Sequence, residues 1–186
     1  AALVTGELNL SGSVYGTYRN ARTPMVRSQE FSGTRYDLFQ LFTLSDGNAA
    51  NRDIKVSISS VRPSTVAANP YGTFSVTVRR FVDTDARQEV IEQFDGLNLD
   101  PTSPNYIARR IGTARTVLDA NGDAYLEGDY PNNSRYIYVE MAVGSEDNPE
   151  EALPYGHAPL ATPVFAANVP APAYVTTRYS SPTSGS

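Results

Sequence analysis

Residues 89–112 read EVIEQFDGLNLDPTSPNYIARRIG, and this stretch decides the fold. Its first part is apolar at Val90 and Phe94, with polar residues between them, which predicts a strand. Asp95 and Gly96 follow, and both are residue types that favour turns. We therefore expect a β-strand that is followed at once by a turn.

The second part of the stretch predicts a short helix from Ser103 to Ile111. Ser103 offers a hydroxyl at the N-cap, and Pro104 suits the first helical position, where a missing N–H costs nothing. Ile107 stands four residues before Ile111, so the two side chains share one face. Gly112 stands where a left-handed C-cap belongs. Because so short a helix is marginal alone, we expect it to pack on a sheet.

The composition excludes several classes of function. The chain has 186 residues, a net charge of −5 and a pI near 4.9. Lys55 is the only lysine, and the acidic balance argues against a nucleic-acid partner, which would need a basic face. The absence of cysteine excludes thiolate metal sites and a cysteine nucleophile. No apolar run is long enough for a transmembrane helix, so no membrane insertion is expected.

Alternating apolar and polar residues predict further strands along the chain. Residues 36–44 are apolar on both faces, which predicts a central strand, whereas residues 54–58 and 74–78 alternate as half-buried strands do. Asn121 and Gly122 lie between two short runs and predict a hairpin. We therefore predict an α+β fold with a mixed, mainly antiparallel sheet, one short helix and loop-rich β extensions.

We expect three parts along the chain. Residues 1–35 are predicted to be an extended or β-rich part of a neighbouring or insertion domain, and residues 36–144 an α+β core domain. Residues 145–186 are predicted to be a Pro-rich arm or the start of an insertion domain. The first residues lack an initiator methionine, and they also lack the basic region and the long apolar core of a signal peptide. The last residues are loop-like. We expect a fragment of a longer chain, although removal of methionine before Ala1 would explain the first observation.

No residue pattern predicts catalysis or metal binding. His157 is the single histidine, and no nucleophile elbow accompanies it. The spacing of Asp119, Asn121 and Asp123 resembles the start of a calcium loop, but Ala124 occupies the glycine position, so a hairpin turn is favoured. We therefore predict no catalytic residue, no cofactor-binding residue and no metal site.

Two further patterns leave alternatives open. A pair of carboxylates could serve glycoside hydrolysis, but most of the candidates occupy turn or capping positions. These candidates are Asp83, Asp85, Glu89, Glu92, Asp95 and Asp100. The 12 tyrosines could line a sugar-binding surface, although packing in strands or at an interface is the favoured interpretation.

Three segments resemble a known family when they are read in order. They are FSVTVRR at 74–80, VIEQF at 90–94 and LNLDPTSPNYIARRI at 97–111. Together they resemble the core segment of the contractile tail sheath proteins of bacteriophages and of related contraction machines. The strand, turn and strand at 41–58 and the later strand at 134–139 look similar as well. The resemblance therefore covers about residues 38–142.

The resemblance implies a mechanical function. Sheath subunits assemble with copies of themselves into hexameric rings, which stack as a helical sheath around an inner tail tube protein and end on a baseplate. Contraction rearranges the contacts between subunits and drives injection, so no cofactor and no enzymatic activity are implied. The expected place is the virion, as part of the phage tail, after assembly in the host cytoplasm. A secretion-system or bacteriocin-like sheath remains an alternative source.

The charges suggest inter-subunit contacts on this interpretation. The basic candidates are Arg79, Arg80, Arg109 and Arg110, and the acidic candidates are Glu146, Asp147, Glu150 and Glu151. Two other functions remain as alternatives. One is a non-enzymatic, β-rich glycan- or surface-binding module of a virion, and the other is a hydrolase with an acidic site.

Overall fold

The computed structural model describes residues 20–46, 49–119, 121 and 123–158. Its strands form mostly antiparallel sheets that account for 52% of the structure, and its α-helices are short. This confirms the predicted fold class. The expectations for residues 1–19 and 159–186 lie outside the described residues.

The elements follow one another in a simple order. They are β1 (Asn20–Arg22), β2 (Val26–Phe31), β3 (Thr34–Asp46), α1 (Ala50–Asp53), β4 (Ile54–Arg62), β5 (Thr73–Arg80), β6 (Val90–Leu97), α2 (Ile107–Ile111), β7 (Arg115–Leu118), β8 (Ala124–Glu127), β9 (Ile137–Met141) and β10 (Pro154–His157). A single 3-10 turn, Ser145–Asp147, lies between β9 and β10. None of the helices in the described part of the chain has the length and apolar character to span a bilayer.

The larger sheet is built around β3. Phe39 pairs with Val26 of β2 and with Met141 of β9, so these two strands lie on opposite edges of β3. β1 pairs with the end of β3 and β10 pairs with β2. Leu38 and Leu41 are buried along with Phe39, as a central strand requires.

The larger sheet extends beyond the core domain expected from the sequence. β1 and β2 precede residue 36, and β10 follows residue 144, yet all three pair within this sheet. The described residues on both sides of the 36–144 core are therefore hydrogen-bonded to it.

The second sheet has the order β4, β5, β6. Phe74, Val76 and Val78 of the middle strand are at most 1% exposed, as their alternation predicts. The polar residues between them are buried too, with Ser75 6% and Thr77 8% exposed, and Arg79 after them is 4% exposed. β5 is therefore covered on both faces, whereas the alternation predicts one solvated face.

One hydrophobic core joins the two sheets and α2. Phe39 of β3 stacks on Phe74 of β5, with ring centroids 5.9 Å apart. Ile107 and Ile111 of α2 are completely buried in the same cluster, where Ile137 of β9 is 1% exposed. The short helix is thus held by packing rather than by its own length.

The helix begins later than the sequence predicts. α2 starts at Ile107, because Ser103 and Pro104 form a turn instead of a helical N-terminus. The Ser103 hydroxyl accepts a hydrogen bond from the Asn105 backbone N–H at 3.1 Å and one from Asn98 Nδ2 at 2.9 Å. A serine hydroxyl can stabilise such a turn in competition with a helix, and here the turn is formed.

The predicted turn at Asp95 and Gly96 is a β-bulge. β6 continues to Leu97, and these two residues stand opposite the single residue Ser75 of β5. Gly96 has a φ of 66°, which suits a glycine in a bulge. The local sequence signalled a bend correctly, but the pairing with β5 keeps the strand intact.

The predicted hairpin is confirmed. β7 and β8 pair antiparallel over four residues each. One carboxylate oxygen of Asp119 accepts hydrogen bonds from the backbone N–H groups of Asn121 and Asp123, both at 2.8 Å. The residues that resemble a calcium loop therefore stabilise the hairpin turn.

Candidate functional site

A buried ion-pair network holds the turn between β5 and β6. Arg79 donates two hydrogen bonds to Asp83, from Nε and from Nη2, both at 2.8 Å. Lys55 Nζ lies 2.6 Å from the Asp83 carboxylate, and Arg79 also pairs with Asp85 at 3.0 Å. The Asp83 side chain is 0% exposed and that of Arg79 is 5% exposed. The bidentate geometry fixes the turn in one conformation.

The network also fixes the charge of Asp83. The Arg79 guanidinium is the main cause that holds the pKa of Asp83 well below its ordinary value; burial opposes this, and Lys55 and the Glu89 backbone N–H add to the lowering. The hydrogen bonds to Asp83 and Asp85 raise the pKa of Arg79 in return. Both partners therefore stay charged inside the turn at neutral pH.

The outer side of this turn is exposed. We call residues 80–87 the knob. Phe81 is 51% exposed and Val82 is 78% exposed. Arg80 and Arg87 are exposed, and neither forms an ion pair with any residue in the described ranges. The knob thus presents two apolar side chains and two uncompensated positive charges on a fixed backbone.

A second feature is a cavity of about 500 Å³, which we call the groove. It lies between the base of the β7–β8 hairpin, β9 and the loops on either side of α2. Its apolar and aromatic lining includes Tyr106, Tyr130, Tyr138 and Met141, and its charged lining consists of Arg115, Glu127, Asp129, Glu140 and Glu146. Four carboxylates and one guanidinium make the lining strongly acidic.

Two tyrosines of the groove contact each other, and one of them also contacts an arginine. Tyr106 meets Tyr130 edge to face with ring centroids 6.2 Å apart, and Arg109 Cζ lies 5.5 Å from the centroid of the Tyr130 ring. Burial raises the pKa of Tyr106 to about 12, and the negative charges of Glu146 and Asp129 contribute to the increase. A neutral phenol therefore sits beside these two carboxylates over the whole neutral pH range.

The charges of the groove are only partly paired inside the chain. Arg115 contacts Glu127 at 2.8 Å and Glu140 at 3.5 Å. Asp129 and Glu146 are exposed and have no ion-pair partner among the described residues. Two negative charges therefore remain at the tyrosine-lined wall, where a cation would be attracted both by charge and by the aromatic rings.

One residue expected at an inter-subunit contact is placed elsewhere. Arg79 is 4% exposed, and its guanidinium donates to Asp83, Asp85 and the Thr84 carbonyl. It cannot reach a neighbouring subunit without breaking this network. Arg79 therefore positions the knob from inside, and its part in an inter-subunit contact stays a prediction.

The other expected contact residues are on the surface. Arg80 is on the knob, Arg109 lies over Tyr130, and Glu146 lines the groove. The remaining ones are exposed without lining the groove: Arg110, Asp147, Glu150 and Glu151. Within the described part of one chain, the basic and acidic candidates form no ion pairs with each other.

The carboxylates considered for hydrolysis have local structural contacts. Asp100 accepts hydrogen bonds from the backbone N–H and the hydroxyl of Thr102, at 2.8 and 2.7 Å. Glu92 accepts one from the Ser134 hydroxyl at 2.5 Å and so ties β6 to the segment before β9. His157 is the last residue of β10 and pairs there with Val26.

The groove could not be read from the sequence. Its tyrosines come from three separate parts of the chain, and Arg115 from a fourth, so no local spacing connects them. The high tyrosine content was the available signal, and it predicts packing or an interface without saying which tyrosines converge.

Comparisons with known proteins identify no relative of this chain. No family model, no curated protein and no solved structure matches the chain.

Proposed function

We propose that this protein is a structural subunit of a contractile tail sheath, which polymerises around an inner tube and changes its inter-subunit contacts on contraction. The observation that carries the proposal is the ordered set of segments 74–80, 90–94 and 97–111, which resembles the core segment of sheath proteins. The proposed partners are copies of the same chain, the tube protein and a baseplate, within a virion.

The packing of these segments supports a subunit that moves as a rigid body. Residues from the first and third segments are buried in one cluster, with Val76, Leu97 and Ile107 at 0% exposure, and the partly buried Ile91 and Phe94 of the second segment pack against it. Cores packed to this degree resist continuous deformation, so stored energy has to reside in contacts between bodies. A subunit with a buried core motif and an exposed, charged surface suits contraction by a change of the contacts between rigid subunits.

The distribution of exposed groups also supports self-association. Among the exposed apolar side chains, Phe81 and Val82 lie on the turn after β5, Leu126 on β8 of the hairpin, and Tyr155 on β10. Exposed apolar groups beside unpaired arginines are typical of protein–protein contacts. We therefore assign the periphery of the molecule to inter-subunit contacts.

Electron microscopy of the purified protein at high concentration tests the proposal. We expect rings, tubes or helical arrays of uniform diameter, because a sheath subunit repeats one contact around a closed path. The same sample heated beyond its unfolding transition is the control, since ordered arrays must disappear with the fold. A protein that stays monomeric at all concentrations would refute the proposal.

The tyrosine-lined groove favours one second candidate, a glycan-binding module of a virion. Tyr106, Tyr130 and Tyr138 supply aromatic surface, and the carboxylates and Arg115 supply hydrogen-bonding groups. Binding on a glycan array, lost in a Tyr106→Ala variant but kept in a Tyr125→Ala variant outside the groove, would favour this function over the sheath.

A further inference from the structure

We propose that the knob of one copy docks in the groove of a second copy, with Arg80 and Arg87 facing Asp129 and Glu146. The inference rests on the proposed self-assembly and names the contact through which it occurs. The partner is therefore a second copy of this chain, recognised through an arginine-bearing, apolar turn.

The first argument is the fixed shape of the knob. The Arg79–Asp83 pair is buried, and a buried ion pair is in itself a poor source of stability compared with apolar packing. What it does achieve is one defined backbone conformation for a turn whose outer side chains are exposed. A turn that is ordered before it binds loses little conformational entropy on docking.

The second argument is charge complementarity. Buried Asp83 is paired with Arg79 and Lys55, and exposed Asp85 is paired with Arg79, so these four charges cancel and the charges of Arg80 and Arg87 remain. Beside the knob, the exposed carboxylates of Asp53 and Glu89 are offset in part by exposed Arg52. The knob and the residues that hold it therefore carry a net surplus of two positive charges.

The groove has a surplus of negative charge. Its own Arg115 is satisfied by Glu127 and Glu140, which leaves Asp129 and Glu146 without a cation in the described structure. The groove already holds one guanidinium between carboxylates, and Arg109 lies over its Tyr130 ring. A guanidinium from another copy would thus meet carboxylates, as Arg115 does, and a tyrosine ring, as Arg109 does.

The third argument is apolar complementarity. Phe81 and Val82 are the exposed apolar residues of the knob, and the groove offers the rings of Tyr106 and Tyr130 together with Met141. Apolar contact supplies the area-dependent part of the association free energy, and the charges set orientation and specificity.

The position of the two features decides the type of assembly. The knob precedes β6, which spans roughly 23 Å at about 3.3 Å per residue, and the groove draws its first lining residue, Pro101, from the loop beyond the other end. The two features share no residue. A contact between two different surfaces is heterologous, so it repeats from copy to copy and produces rings or filaments rather than a closed dimer.

A charge-exchange experiment on the whole chain tests this contact. The knob variant carries Arg80→Glu and Arg87→Glu, and the groove variant carries Asp129→Lys and Glu146→Lys. All four side chains are exposed, so both variants should fold, which far-UV circular dichroism checks. By sedimentation velocity at low salt, each variant alone should associate about tenfold more weakly than wild type or worse, because like charges now meet.

The equimolar mixture of the two variants is the decisive sample. In it, each intact knob meets an intact groove and each reversed knob meets a reversed groove, so association should return. Two matched controls, Glu30→Lys with Asp123→Lys and Arg22→Glu with Arg62→Glu, reverse the same numbers of exposed charges outside both features. They should associate like wild type.

The outcomes separate this contact from the general proposal. If wild type forms arrays and the two variants do so equally well, the knob–groove contact is refuted while the sheath function stands. If wild type shows no association at any concentration, both are refuted. If a glycan occupies the groove and the groove variant abolishes its binding without changing association, the contact between copies is refuted in favour of a sugar site.

Discussion

At the scale of single residues, Asp83 is the clearest case of a polar group that decides local structure. Its carboxylate is completely buried and receives hydrogen bonds from Arg79, Lys55 and the Glu89 backbone N–H. Because Arg79 is charged and buried with it, the removal of either side chain of this pair leaves an uncompensated buried charge. The turn depends on all of them together.

We predict that Asp83→Asn lowers the urea midpoint of unfolding at neutral pH. We also expect the midpoint of the variant to fall less than that of wild type as the pH is lowered. The folded-state pKa of Asp83 is lowered, and the unfolded value is about 3.9. The carboxylate therefore contributes its full stability above that value and loses it as the pH falls further. Urea unfolding at a series of pH values from neutral to acid measures the difference between wild type and variant.

The matched control for this prediction is Asp85→Asn. Its carboxylate also contacts Arg79 but is 94% exposed, so the midpoint should change little. If Asp83→Asn and wild type keep the same separation in midpoint down to strongly acidic pH, Asp83 is not the group that carries this pH dependence.

At the scale of elements, α2 shows how tightly the loops around the groove are packed. Gly112 ends the helix with a φ of 111°, and a Cβ atom there would lie 2.3 Å from Asn132 Cα. Asn133 closes the same end from outside, since its backbone N–H donates to the Ile111 carbonyl at 2.9 Å. The helix and the segment before β9 therefore have to fit together without any side chain between them.

We predict that Gly112→Ala lowers the free energy of unfolding by more than about 1 kcal/mol. Both the positive φ and the contact with backbone oppose a Cβ atom, and neither can relax without moving α2. Denaturant unfolding measures the change. Gly156→Ala is the control, because nothing lies within 4 Å of its Cβ position and its φ is not positive. Equal effects of the two substitutions would contradict this account.

The elements also show what the sequence can predict. β3 and the β7–β8 hairpin follow from local pattern alone, because apolar runs and an Asn-Gly turn are local signals. The start of α2 and the bulge at Gly96 do not, since the bulge depends on the pairing with β5, and the turn before α2 replaces an equally plausible helical start. The pairing with β5 keeps β6 extended past Gly96, and the hydrogen bond from Asn98 to Ser103 is part of the turn before α2.

At the scale of the whole molecule, one core couples the two sheets. Phe39 and Phe74 stack across the interface between them with an interplanar angle of 11°, and both are at most 1% exposed. Glu92 adds a polar link from β6 to Ser134. The described part of the chain should therefore unfold as one cooperative unit.

We predict that Phe74→Ala costs about 3–5 kcal/mol and keeps a single unfolding transition. The loss has two parts, the transfer free energy of the ring and the cavity that it leaves against Phe39. Tyrosine fluorescence and far-UV circular dichroism should give coincident curves in both proteins. Phe81→Ala, on the exposed knob, is the control and should change the midpoint only slightly. Two separated transitions would show that the sheets are independent.

The knob and the groove differ in how far the sequence could predict them. The turn at 83–85 and its charges were visible locally, but the burial of Arg79 was not, because an arginine that follows an alternating strand is ordinarily solvated. The groove depends on long-range packing throughout. Sequence charge identified Arg80 and Glu146 as contact candidates without indicating the surfaces on which they lie.

The length of β3 has a mechanical consequence. Over its 13 residues it is hydrogen-bonded to β2 and β1 on one side and to β9 on the other. A pull along its axis would load these bonds in shear, so that many must yield at once instead of opening one after another. Tension applied at either end of β3 would therefore be shared among all of its inter-strand hydrogen bonds before any one of them breaks.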